Sequence, residues 1–528
     1  MKKSLFFGVL AILAASLNAA EKPIDIGSRR ELFVDQYLIQ KMFGLELQLH
    51  QPVRREIVLT AEAPHEHSNV IGGCIVQYKD LYYLYYRAGG RVSVANDPDT
   101  AGTYNLCVAT SKDGIHWERP ELNIFPDGSN VVLTADYCIN NVDSAGGNMM
   151  PAGCVVTLDT NPECPAEERF KMLATSAHDG NHNGGRKFHL LTSGDGFHFT
   201  PRDGKGVPLD ISNHRADSMN AIAFDHNSKE YLVYSRTWDG ELRCISLNRS
   251  KDLKTFTPII SAKYSDDNRI ALYHNGVVNY PRAPHILLGF PTRYDDDGAN
   301  WTESVLYLPQ LDERFDRAKL NPRYGTAVTD IIFMASRDGE NFERYRESFV
   351  RPGPEQQRSW VYGDNEFVHG LVTTRSDLGN DAPDELSLYA VTGYWQSGCA
   401  GFRRFTLRMD GFVSLHAKAD WGMMTTKPFI FKGERLSLNV STSAAGRVNV
   451  GFYTLDDKPV PGYSLSDCVT VRGDSTDLTV RWKGVGSDLG KLSGKPVIMK
   501  IKMCDADVYS FQFTTGKDTR TLPELPAK

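Results

Sequence analysis

The stretch SKDGIHWERP, residues 111–120, reads as a tight turn between two strands, and the chain writes it again. SGDGFHFTP begins at Ser193, SKDLKTFTP at Ser250 and SRDGENFERY at Ser336, with a fainter copy, RMDGFVSLHA, from Arg408. Asp-Gly between apolar runs is a hairpin signal, because the tight turn needs positive φ. A Ser or Asp side chain also bonds the turn's own amides. Each copy follows an apolar strand: YNLCVAT, RKFHLLT, LRCISLN and DIIFMA before the first four. Two further strand-like runs precede each of these, as in GGCIVQY and LYYLYYRA before the first turn. Four strands, repeated five times with almost no helical period, predict an all-β chain. Four-stranded sheets repeated around an axis make a β-propeller, so the turn is expected to be the outer hairpin of each of five blades.

Working outward, the repeat stops near Lys418. The residues beyond it read as short alternating strands, the pattern of a C-terminal β-sandwich. The opening MKKSLFFGVLAILAASLNAA has the basic start, apolar stretch and small residues of a signal peptide. The expected organisation is therefore a signal peptide at 1–20, a five-bladed propeller at 21–418, a sandwich at 419–516 and a loose tail at 517–528. This predicts a secreted or periplasmic protein, with no membrane contact once the signal is removed. The 59 Lys and Arg face 65 Asp and Glu without a basic patch, which gives no footing for nucleic acid. Nine dispersed cysteines form no CxxC and no metal-ligand spacing, and most fall in apolar runs as small buried hydrophobes. No metal or other cofactor is expected.

The segments EHSNVIGGCIVQYKDLYYLYYRA, ELFVDQYLI, APHILLGFPTRY, ELSLYAVTGYW and LRMDGFVSLHA carry a resemblance. The architecture resembles the invertase/fructosidase and arabinanase glycoside hydrolases, and the opening blade resembles the mannoside phosphorylases. The chain after residue 28 more closely resembles a group of exported bacterial glycosyl-hydrolase-like proteins. The resemblance implies a carbohydrate substrate. The invertase motifs Asn-Asp-Pro-Asn-Gly and Arg-Asp-Pro are absent.

Propeller sites lie at one mouth of the central channel, reached by residues just before each first strand and by the loops joining second to third strands. Glycoside cleavage needs two carboxyl groups flanking the bond, one protonated and one ionised. Asp217 and Glu66, just before first strands, are the expected pair, with Asp364 or Glu366 competing for the remaining role. Sugar hydroxyls and faces are expected to meet Asn69, Arg87, Asp143, His178, Arg215, Arg236, Trp238, His274, Arg293, Asp295 and Trp395. Three other readings stay open. A non-catalytic glycan-binding propeller needs the same aromatic and Arg residues without paired acids. A phosphorylase needs Arg or His beside the acids to hold phosphate, and His214, Arg215 and Arg236 allow it. A sialidase-like enzyme shares the turn, but with six blades, a three-Arg clamp and a Tyr nucleophile.

Overall fold

The computed structural model describes residues 22–67, 69–89, 105–134, 149–176, 187–211, 219–295, 302–354, 359–379, 381–394 and 400–516. The chain is nearly all β, as the repeats predict. The first sheet holds Val70–Tyr78, Leu81–Ala88, Asn105–Ser111 and Val131–Thr134, paired antiparallel in chain order. The second holds Met149–Leu158, Phe170–Ser176, Phe188–Ser193 and Thr200–Pro201. The third holds Ala221–Asp225, Glu230–Asp239, Leu242–Ser250 and Ile260–Ser261. In the fourth, Val277–Asn279 is followed by Leu287–Gly289 and Thr292–Asp295, which both pair with Val328–Ser336, and then by Asn341–Val350. The fifth holds Phe367–Thr374, Glu385–Thr392 and Gly401–Arg408.

The fourth strand of the fifth sheet departs from the sequence reading. FVSLHA was expected after the Asp410 turn, but Val413–Ala417 pairs with Glu46–Leu49 and Pro496–Thr514 instead. The outer strand of the fifth sheet is Val53–Thr60, antiparallel to Gly401–Arg408. An N-terminal strand thus completes the last sheet, a strand borrowed over more than 340 residues. The first and fifth sheets are joined at a parallel bridge between His369 and Cys74. The first strands of the five sheets neighbour one another in cyclic order. They line one cavity of about 260 Å3, with Ile75, Val156, Ile222, Val278 and Leu371 each from a different sheet. Sheets covered on both faces explain why runs such as Glu385–Thr392 are buried almost throughout rather than alternating.

The repeated turn is built the same way four times. Ser111 Oγ accepts the Gly114 amide at 2.8 Å, and Asp113 Oδ1 accepts those of Ile115 and His116 at 2.8 Å. Ser193 with Asp195, Ser250 with Asp252 and Ser336 with Asp338 repeat the pattern. The third residue after each Ser has positive φ, including Leu253, which stands where the other three have Gly. Each turn also grips the preceding sheet. Tyr85 Oη of the first sheet donates to Gly196 O of the second at 2.7 Å. Tyr234 of the third does the same to Gly339 of the fourth, and Tyr389 of the fifth to Gly114 of the first. Between the second and third sheets, Leu173 and Leu253 share an apolar cluster instead. The turn therefore recurs because it latches each sheet to its neighbour. The fifth copy is different: Asp410 is fully buried and takes Tyr280, Arg30 and Ser510.

The C-terminal strands form a further sheet around the long strands Arg435–Tyr453 and Pro496–Thr514, over a core containing Trp482, Phe452 and Phe513. Residues placed with the repeats from sequence also join it: Ile24–Gly27, Glu31–Leu32, Ile39–Phe43 and Glu46–Leu49. A partly buried ionic knot ties this N-terminal segment to the fourth turn. Arg337 donates to Asp35 at 2.7 Å and to Glu31 at 2.7 Å. Burial would raise the Glu31 carboxyl, but Arg337 and His285 pull it down to about 2. Among the described residues Cys74, Cys107, Cys164, Cys244, Cys468 and Cys504 are free thiols, all but Cys244 buried, and no helix is long and apolar enough to cross a membrane.

Candidate functional site

Asparagines secure the starts of three first strands. Asn69 donates to Gly89 O at 3.0 Å, Asn275 donates to Met219 O at 2.8 Å, and Asn220 Oδ1 accepts the Arg236 amide. Each ties the start of a first strand to a nearby residue of a neighbouring loop or to its second strand. The expected ligand Asn69 is thus a buried staple as well.

Glu66 lies in a short 3-10 turn, Pro64–Glu66, just ahead of the first strand. Its carboxylate is fully buried and takes four hydrogen bonds. Tyr86 Oη donates to Oε1 at 2.6 Å, and the Ala63 amide to Oε2 at 2.9 Å. Arg119 forks across both oxygens, at 2.8 and 2.9 Å. Glu66 was expected to act as base or nucleophile. With four donors on its two oxygens, taking a proton from substrate would displace one of them. Arg119 sits at the end of the opening turn motif, SKDGIHWER, and sequence reasoning passed over it.

The other acids occupy a different setting. Asp364 and Glu366 flank Asn365, whose φ of 57° turns the chain before the fifth sheet. Asn365 N and Glu366 O both pair with Val391, so the turn is pinned to the second strand. Asp364 is fully buried. Its Oδ1 accepts the Tyr394 amide at 2.8 Å, while Oδ2 has no hydrogen-bond partner among the described residues. Burial holds its carboxyl well above the usual range, and the nearby Glu366 adds to this. A buried carboxyl oxygen without a partner favours the neutral form over the charged one. Glu366, 3% exposed, has the Nδ1 of His274 at 4.0 Å.

Tyrosines wall this pair. Tyr362 is buried beside Glu366, with its hydroxyl 2.9 Å from that of Tyr273. Tyr273 packs on His274 at 4.6 Å and on Tyr294 at 5.8 Å between ring centroids. Tyr394 and Tyr324 close on Tyr362 at 5.8 and 5.3 Å. Arginines lie on the outer side. Arg236 stands 4.8 Å from the Tyr273 ring and 5.7 Å from that of Trp238. Arg243 stands 4.4 Å from Tyr294, 4.8 Å from Trp238 and 5.4 Å from Tyr273.

The structure thus brings together Asp364, Glu366, His274, Arg236 and Trp238. It sets Arg293 and Asp295 apart. Strand alternation points them away from Tyr294, and Arg293 pairs with Asp330, Nε to Oδ1 at 2.8 Å. Both line a separate groove of about 820 Å3 with Arg346, Arg351 and Trp360. They are therefore not partners of Glu366. Arg87 is half-buried in the second strand of the first sheet, opposite Ile71 and Leu106. Asp217, Asp143, His178, Arg215 and Trp395 lie outside the described residues. Arg243, Arg323 and the Tyr273–Tyr362 pair were missed. Arg243 sits across the hairpin from Trp238, a register that the short loop after Asp239 signals. Arg323 and Tyr324 come from a helical insertion, which no repeat position announces. Among the described residues, no three His, Cys, Asp or Glu side chains are grouped as metal ligands.

No protein-family model and no curated protein matches the chain. Solved structures do. An N-acetylgalactosamine deacetylase from F. plautii, in complex with blood group B trisaccharide, is 13% identical. The match covers 68% of this chain and 95% of that one, at a TM-score of 0.41. A structure described under the mannoside phosphorylase family containing glycoside hydrolases that target β-1,2-mannosidic linkages in Candida mannan is 13% identical. It covers 68% and 94%, at 0.38. A glycosyl hydrolase from Bacteroides ovatus is 13% identical, covering 72% and 93%, at 0.37. Scores at this level leave the functional argument to the residues themselves.

Proposed function

We propose that the five sheets are the blades of a β-propeller, closed by the strand Val53–Thr60 and joined to a β-sandwich that the N-terminal segment completes, and that the molecule is an exported glycoside hydrolase. The observation that carries the functional reading is the pair Asp364 and Glu366. Two carboxyls stand two residues apart at the start of a channel-lining strand. Burial favours the protonated form of Asp364. Glu366 is the carboxyl set among His274 and the tyrosine wall, and we assign it the reacting role. The second reacting carboxyl is assigned from sequence to Asp217.

The surroundings suit a sugar. Tyrosine and Trp238 rings offer flat apolar faces for a sugar ring, and Arg236 and His274 offer polar contacts for hydroxyls. The signal-like N-terminus agrees with work on glycans outside the cell. The test is release of reducing sugar from a broad glycan panel by the purified protein. Glu366→Gln and Asp217→Asn are each expected to lower turnover by about 10^2–10^4-fold, with folding intact by circular dichroism. Unchanged turnover in Glu366→Gln would remove it as a reacting group. Glycan binding with no release by the wild type would leave a binding module.

A further inference from the structure

The arginines beside the tyrosine wall are more than a neutral sugar requires. Arg243 is 7% exposed, and burial lowers its affinity for its proton, as do Arg236 and Arg323 close by. Among the described residues, neither Arg243 nor Arg323 has a carboxylate within ion-pair distance, and the Nε of each lacks a hydrogen-bond partner. Arg323 lies 4.9 Å from the ring of Tyr324 and donates to its hydroxyl at 3.3 Å. Other buried guanidinium groups of this protein have their donors taken: Arg344 pairs with Asp266 and Arg30 with Asp410, and Arg314 donates to the carbonyls of Pro309, Gly325 and Trp360. Aromatic faces offset part of a buried positive charge. They do not remove the repulsion among neighbouring guanidinium groups, nor fill the Nε donors of Arg243 and Arg323.

We propose that Arg243 and Arg323, with Arg236, form an oxyanion subsite, so that the substrate of this channel is a glycan bearing a carboxylate or sulfate. A guanidinium fork matches the paired oxygens of either group. The placement fits the proposed chemistry. Arg243 faces Tyr273, Tyr273 packs on His274, and His274 stands 4.0 Å from Glu366. The anionic substituent would thus rest on one side of Tyr273 while the bond to be cleaved rests on the other. This names the substrate class of the proposed site and rests on that reading, but oxyanion binding needs no turnover and can be measured apart from it.

The experiment is calorimetric titration of the full chain with galacturonate, glucose 6-sulfate, their neutral parent sugars and inorganic phosphate. Wild type should bind at least one anionic sugar about tenfold or more tightly than its neutral parent, and more weakly as salt rises. Arg243→Gln and Arg323→Gln should each weaken that binding by about tenfold or more. Arg323 is only half-buried, so its variant keeps the test open if Arg243→Gln fails to fold. Equal binding of anionic and neutral sugars, or wild-type affinity in Arg323→Gln, overturns the subsite. Binding of phosphate but of neither sugar anion overturns the substrate class and makes free phosphate the source of the oxyanion. Anion binding without sugar release from any glycan overturns the hydrolase and leaves the subsite standing.

Discussion

If the repeated turn is a latch between sheets, adding one methyl group to it should be far more damaging than adding the same group to an unlatched turn. Gly196 and Gly204 make the comparison. Both have positive φ, +83° and +70°, so Ala at either meets the same backbone penalty of about 1–2 kcal/mol. At Gly204 nothing lies within 4 Å of the added Cβ. At Gly196 the new Cβ would lie 2.8 Å from Tyr85 Oη and 2.9 Å from Phe170 Cε1, both in fully buried side chains. The rings have no free space to retreat into, so overpacking adds about 1–3 kcal/mol. Displacing Tyr85 also breaks its 2.7 Å bond to Gly196 O and strands a buried hydroxyl, for roughly 1 kcal/mol more. Gly196→Ala should therefore destabilise by about 3–6 kcal/mol against about 1–2 for Gly204→Ala. Urea unfolding followed by tyrosine and tryptophan fluorescence measures both. A Gly196→Ala midpoint matching that of Gly204→Ala would refute the latch.

The remaining predictions concern the acids. Asp364 holds its proton in the fold and loses it near its ordinary 3.8 when unfolded. Its raised folded pKa means that its contribution to stability is complete below about pH 4 and shrinks as pH rises toward the folded value. Asp364→Asn, which can still accept the Tyr394 amide, should gain stability relative to wild type as pH rises; a difference independent of pH would show that Asp364 is ionised in the fold. Arg119→Ala leaves the buried Glu66 carboxylate without its fork and should cost about 3 kcal/mol or more. Glu66→Gln, which keeps much of that network, should cost less and leave turnover within severalfold of wild type. A loss approaching that of Glu366→Gln at unchanged stability would restore Glu66 as a reacting group.

What the sequence disclosed, and what it withheld, follows from how far each signal reaches along the chain. The turn is local: Ser, Asp and Gly bond amides within three or four residues, so the letters alone mark it. The sheet count follows from the turns. The closing strand does not, because Val53–Thr60 finds its partner only through Gly401–Arg408, and nothing in VRREIVLT says which edge it will meet. The same limit misplaced residues 24–49, whose partners are the C-terminal strands. Position relative to a first strand correctly brought Asp364, Glu366 and His274 to one place, since that position is itself a local property. It placed Glu66 ahead of a first strand as well, but gave no sign of Arg119 and Tyr86 on its carboxylate, because neither is a neighbour in sequence. Arg243 shows the boundary between the two cases. Across a hairpin with only Gly240 and Glu241 between the paired Asp239 and Leu242, the partner of Trp238 has to be Arg243, so a guanidinium over an aromatic ring was within reach of pattern alone. Its third arginine, from an insertion that follows no repeat, was not. The proposed oxyanion subsite is thus one part legible register and one part tertiary accident of placement, and only the assembled fold shows that the charges converge.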